Sequence, residues 1–270
     1  MPSTYAHFRF GQEVYKELLP KCRTVIDAFR PLYDIGLHGP DILFYYHALQ
    51  PNAVSAVGFE AHERPGRDFF LRAAGILRQS GKAELAYIYG VLCHFALDVS
   101  CHAYVNQKIR ESGISHTEIE GEFDRSLIAD GLNPVTHCLT GHIVPSRENA
   151  EVIAPFYDSV TADNVRTALR SMIFQNKMLL AKSGAKRKLI YAVLKLTGNY
   201  EDMHGLVINP NGNPACADSN AELLRRYGLA VKRAKAFIEN LGGVLEGERN
   251  LDPLFRYNFE GTEPESGETL

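Results

Sequence analysis

The most apolar stretch of the chain, Ala86 to Val105, is broken by three polar residues at a fixed step: His94, Asp98 and His102. Positions i, i+4 and i+8 of a helix lie on one face, each about 40° round from the last. A window this long and this apolar raises the question of a membrane span. Ionisable groups inside a span are costly, so the preferred reading is a buried core helix whose polar stripe is satisfied by metal.

The next segment repeats the step with His116 and Glu120. Neutral imidazole and carboxylate both suit zinc, and the i, i+4 spacing lets two ligands close on one ion. A lone histidine on an apolar helix is more often a hydrogen-bonded core residue. Five ligand-type residues at two such spacings instead point to a metal-dependent enzyme site. Two helices cannot fill two four-coordinate sites, so further donors are needed. Asp41, at the first turn after Gly39-Pro40, is one candidate, and His62, expected in a loop, is another. His7 lies close to the N-terminus and is otherwise an exposed residue. His38, His47, His137, His142 and His204 lack partner spacing and read as structural or surface residues. Glu118 and Glu122 lie about 160° from Glu120 and should face elsewhere, whereas Asp124 can support the ligands from behind.

Helical periodicity dominates and no run alternates convincingly, which predicts an all-α, multi-helix bundle. Helices are expected over 10–34 with a break near Pro20, from Pro40 through His47, and over 66–79 and 82–109. Ser115 is an expected N-cap, with Glu118 at the capping-box position, for a helix to about Asp130. Further helices are expected near 148–158, 162–181, 185–197 and 219–241. The expected organisation is one domain over 1–258, with a metal-site core at about 1–130 and C-terminal helices at about 148–245. The acidic, Gly- and Pro-bearing tail 259–270 is expected to be disordered.

Net charge is −3, which argues against a dedicated nucleic-acid binder. Five cysteines without a CxxC pair suggest neither a disulfide framework nor a thiolate zinc site. No signal-peptide pattern is visible, so the cytoplasm is the expected location. One asymmetry stands out: no acidic residue occurs between Asp163 and Glu201, an interval that carries eight Lys and Arg. Such runs are usually the solvated face of helices; the alternative is a patch for phosphate-bearing ligands or an anionic membrane.

The order His7, Gly39-Pro-Asp41, His62, His94-xxx-Asp98, His102, His116-xxx-Glu120 resembles the bacterial zinc-dependent phospholipase C family. Zinc-dependent single-strand nucleases share that superfamily. The similarity covers about residues 1–130, and the combined motif is specific although each piece is weak. The resemblance implies an all-helical domain with three zinc ions in a cleft. The first would be held by Asp41, His62, His94 and Asp98, and the second by His102, His116 and Glu120. The third would use His7, a bridging Asp98 and the free N-terminal amine with its carbonyl. Two features depart from the family. Its step from the helix Asp to the next His is longer by two residues. Its secreted members expose an N-terminal Trp, where this chain begins Met1-Pro2; two ions are therefore an alternative to three.

The implied reaction is attack of a metal-activated water on a phosphorus ester, with Asp41 orienting or deprotonating the water. The implied substrate is a phospholipid headgroup, met at a membrane surface, or another phosphoester. Tyr45-Tyr46 and Phe69-Phe70 either line an apolar cleft or belong to the core. Two alternatives remain: a nuclease or nucleotidase of the same superfamily, and a helical protein whose ions are structural only.

Overall fold

The computed structural model describes residues 4–270, most of which are helical. In chain order the α-helices are α1 (Thr4–Glu17), α2 (Pro20–Ala28), α3 (Arg30–Gly36), α4 (Ala53–Glu63), α5 (Gly66–Leu77) and α6 (Lys82–Ser112). They continue with α7 (His116–Ile128), α8 (Arg147–Ile153), α9 (Ala162–Leu179), α10 (Gly184–Leu196), α11 (Tyr200–Met203) and α12 (Ala217–Glu246). A 3₁₀ helix spans Gly39–Tyr45. The described residues contain no strand, only an isolated bridge between Thr262 and Thr269.

Helix α6 is the axis of the bundle. It starts where Glu84 accepts the Gly81 N–H at 3.0 Å and stops at Gly113, whose φ of 70° suits glycine. Every residue from Ala86 to His102 is buried. Helix α6 is therefore apolar enough to cross a bilayer by composition, yet protein covers it on all sides, chiefly α3 and α12. The α3–α6 crossing is glycine-dependent: a Cβ on Gly36 would fall 2.3 Å from the Tyr87 carbonyl, and one on Gly90 equally close to that of Tyr33. This approach brings the backbone after α3 against His94.

Three expectations change. The run 10–34 forms three helices, α1 to α3, with α1 beginning well before residue 10. The segment after Pro40 is a 3₁₀ helix rather than an α-helix. Residues 53–63, expected to be loop, form α4, so His62 is a helix residue. The Asn52 carboxamide caps that helix by accepting the N–H groups of Val54 and Ser55. Gly58 dilutes the periodic signal but allows close packing on the Gly39–Tyr45 segment.

The tail 259–270 is also folded. Phe259 is fully buried, the Asn258 N–H donates to Thr262, and the Leu270 N–H donates to Gly261 at 2.9 Å. Composition misleads there because the anchors, Phe255, Tyr257 and Phe259, precede the acidic stretch. One hydrophobic core runs from Ala6 to Phe259.

Candidate metal centre

The stripe on α6 faces inward, and four other segments converge on it. Helix α1 brings His7, the 3₁₀ helix Asp41, α4 His62, and α7 His116 and Glu120. All eight sequence-predicted residues meet in three groups: His7, His94 and Asp98; Asp41, His62 and His94; His102, His116 and Glu120. Seven of them are buried and His116 is half-buried. Asp98 sits between groups, with Oδ1 3.1 Å from His7 Nε2 and 3.6 Å from His102 Nε2, and Oδ2 2.9 Å from His94 Nε2. Asp41 Oδ1 stands 2.8 Å from His62 Nε2 and 3.8 Å from His94 Nε2. Glu120 Oε1 stands 3.2 Å from His102 Nε2 and 3.1 Å from His116 Nε2. The amine and carbonyl of residue 1, expected in the third group, lie outside the described residues.

These separations fit shared cations. Two donors about 2.0–2.1 Å from one tetrahedral zinc stand roughly 3.3 Å apart. Short as they are, several of the contacts are not hydrogen bonds. Nε2 of His62, His94 and His116, Oδ1 of Asp41, Oδ2 of Asp98 and Oε2 of Glu120 are buried without a partner of acceptable geometry. Each unsatisfied buried polar atom costs about 1–3 kcal/mol, more when charged. Six in one place call for a common electrophile, which divalent ions supply. A cavity of about 20 Å³ between His7, Asp98, His102 and Glu120 gives room for an atom.

The opposite edges of three imidazoles are fixed by carbonyls. His94 Nδ1 lies 3.2 Å from Leu37 O, His62 Nδ1 2.8 Å from Gly58 O, and His102 Nδ1 2.9 Å from Phe259 O. A carbonyl only accepts, so each Nδ1 carries a proton, and it is Nε2 that presents a lone pair to the centre once the ring is neutral. Gly39, with φ of 48°, lies against the His94 ring, where a Cβ would fall 2.4 Å from Cδ2. These carbonyls leave no trace in the sequence, because every residue has one. The Phe259 contact also assigns the folded tail a job: its ring packs 5.0 Å from that of His62 while its carbonyl orients His102.

Electrostatics couple the centre tightly. Burial opposes ionisation of Asp98, but His94, His102 and His7 outweigh it and hold the carboxyl well below its ordinary range. Burial likewise opposes ionisation of Asp41 and Glu120, and the facing imidazoles hold both below theirs. Burial works against charge on His102, yet Asp98 and Glu120 push it up to about 10. His62 and His7 are raised by Asp41 and Asp98 respectively, against their burial. Burial lowers His94, with Asp98 opposing. On His102 a proton thus occupies a position a cation would take, and metal binding must displace it.

Supporting residues explain the remaining acids. Asp124 accepts the N–H groups of Tyr5 and Ala6 at 3.0 and 2.7 Å, anchoring the helix that carries His7. Burial pushes its carboxyl up to about 7. Glu118 and Glu122 do face away from the centre. Ser115 caps α7 as expected, but Glu118 does not complete the capping box. Instead, Asn209 and Asn213 donate to Glu118 and Glu122, and His204 approaches Glu118 at 3.4 Å, pinning the segment after α11 to α7. His204 therefore has a tertiary partner that spacing could not reveal. His38 and His142, read as structural, meet Nε2 to Nε2 at 2.7 Å beside the centre.

A cavity of about 280 Å³ opens beside Glu120. Phe44, Tyr45, Phe59, Leu179, Leu206 and Ile208 line much of it, with Gln175 and Asn176 from α9 and Asp124 as polar points. Tyr45 thus lines a cleft, whereas Phe70 belongs to the core and Tyr46 bonds Asn164 on α9.

An all-α bundle with a buried cluster of imidazoles and carboxylates between its helices defines a class of helical metal-centre proteins. Within that class the chain belongs to the zinc-dependent phospholipase C family, whose model matches residues 6–183. The match extends well past the 130 residues carrying the motif and takes in α8 and α9. Comparison with curated proteins and with solved structures gives no match.

Proposed function

We propose that the chain is a zinc-dependent phosphodiester hydrolase acting on a phospholipid headgroup or a chemically similar ester. The observation that carries this reading is the convergence of six unsatisfied buried ligand atoms from four segments, in a family named for zinc and phospholipase C. Asp41, His62, His94 and Asp98 would hold one ion, and His102, His116 and Glu120 a second. His7 with Asp98 would hold a third where the N-terminus completes it. Bound zinc lowers the pKa of water and neutralises charge on phosphoryl oxygens.

The chain's own residues do the rest. Asp41, ionised at neutral pH and wedged between His62 and His94, would orient the attacking water or accept its proton. The carbonyls of Leu37, Gly58 and Phe259 keep the imidazoles in the tautomer that binds cations. The apolar cleft beside Glu120 accepts the body of the ester and excludes water from one side of the phosphorus.

Elemental analysis of untagged protein together with an assay tests this. The expected result is two or three zinc per chain and zinc-dependent cleavage of a choline phosphodiester. Zinc with turnover of single-stranded nucleic acid instead would move the protein to the nuclease branch of the superfamily. Zinc without turnover of either would leave a structural role, and no zinc after incubation with the ion would overturn the reading.

A further inference from the structure

Helix α10 is amphipathic the wrong way round for a helix covered only by water. Its positions 185, 189, 192, 193 and 196 recur at helical spacing and fall on one face, and all are apolar: Ala185, Leu189, Ala192, Val193 and Leu196. That face points outward: Leu189 is 65% exposed, Val193 51% and Leu196 88%. Leu194, on the opposite side, is the one residue of the helix that is buried. On the preceding helix α9, Phe174 (63% exposed) and Met178 share a stripe with Arg170 and Lys177.

Charge surrounds the stripe. The eight cations between Asp163 and Glu201 face no acid within the interval, and none of them makes a salt bridge among the described residues. Lys188 and Lys195 flank the apolar face on one side and Lys186 on the other. The remainder of the chain holds all 32 acidic residues against 21 basic ones, so this segment is cationic while the rest is net acidic. Helix α10 is nonetheless fixed in place. The Arg187 guanidinium donates to the carbonyls of Val207 and Ile208, and Lys186 donates to the carbonyls of Lys177 and Leu180 at the end of α9. Ile208 and Leu179 both line the cleft beside Glu120. The outward face is therefore mounted on the cleft wall.

We infer that α10 is an interfacial helix that seats the protein on an anionic lipid bilayer, with its leucines among the acyl chains and its lysines at the headgroups. Solvent-exposed leucines with flanking cations on a rigid support meet the two requirements of such a surface, apolar burial and attraction to negative lipid. Charge decides against a symmetric second copy, since a two-fold contact through this face would set the cations of one protomer against those of the other. The inference deepens the hydrolase reading by placing the cleft at the membrane edge, but binding can be measured without turnover.

The test is co-sedimentation of the full-length protein with phosphatidylcholine vesicles, with and without phosphatidylglycerol, both with zinc and with chelator. Soluble choline-phosphodiester turnover, read in parallel, reports the hydrolase separately. The expected result is partitioning to the anionic vesicles at least about tenfold stronger than to neutral ones. Leu189→Glu/Leu196→Glu should lower that partitioning at least about tenfold, with melting temperature and soluble-substrate turnover unchanged. Lys188→Glu/Lys195→Glu should abolish the preference for anionic lipid. Absence of pelleting with anionic vesicles would overturn the proposal, as would pelleting unaltered in the leucine variant. A leucine variant that changes only the self-association seen by ultracentrifugation would assign the face to a second copy and overturn it equally.

Discussion

Helices α6 and α10 are both rich in apolar residues, and the fold treats them oppositely. In α6 the apolar surface is wholly covered and the polar stripe is buried with it. In α10 the polar side chains reach solvent or neighbouring carbonyls, and the apolar stripe is left outside. Each arrangement violates ordinary partitioning, since buried ionisable groups and exposed leucine faces are both unfavourable in isolation. On the readings proposed above, each marks a place that something other than this chain would complete: cations within α6's stripe, lipid against α10's. Apolar content alone would have ranked α6 as the membrane helix.

The sharpest way to break the comparison is to remove the charge that joins the groups. Asp98→Asn is expected to lower bound zinc by at least one ion per chain and to bring phosphodiester turnover to background. Metal content and turnover like those of the unaltered protein would show that the stripe is structural. Next in size is truncation in the buried helix. Leu92→Ala, at a site 1% exposed, should cost about 2–5 kcal/mol in denaturant unfolding. Gly90→Ala should cost about 3 kcal/mol, because the added methyl meets the Tyr33 carbonyl rather than a movable side chain.

A pH experiment separates a supporting acid from the centre. The folded state holds Asp124 at about 7, against an ordinary 3.8. Between those values the folded state keeps a proton the unfolded state has lost. This group's contribution to stability therefore falls as pH rises through the window, and its full cost is present above about pH 7. Asn cannot ionise, so Asp124→Asn should remove that slope, gaining on the order of 3–4 kcal/mol relative to zinc-free wild type between pH 4 and pH 8. Parallel slopes in the two proteins would sink the assignment. The smallest effect belongs to α10: Leu196→Ala, at 88% exposure, should change stability by less than about 0.5 kcal/mol. A larger loss would mean that the face is covered by protein after all.

Much of the site was legible because part of it is local. The pairs His94–Asp98, Asp98–His102 and His116–Glu120 are one helical turn apart, and helix geometry alone places each pair on one face. Asp41 owed its legibility to Gly39-Pro40, which marks a turn. The sequence reads His62 as a loop residue because Gly58 weakens the periodicity of α4, and the cap at Asn52 shows only in its bonds to Val54 and Ser55. The acidic tail looked free because its composition resembles that of disordered chain, while its hold on the core comes from Phe255, Tyr257 and Phe259 just before it.

The sequence by itself determined most of the longer helices, the stripe on α6 and the uneven distribution of cations, since all three follow from spacing and composition along the chain. Only the tertiary structure decided which stripe meets which. The Gly36–Gly90 crossing brings Asp41 to His94, Asp124 holds α1 so that His7 reaches Asp98, and the returning tail sets the Phe259 carbonyl against His102. It also decided that α10 turns its leucines outward. Which face of a helix is buried depends on the surface that packs against it, and the spacing of its own residues does not specify that surface.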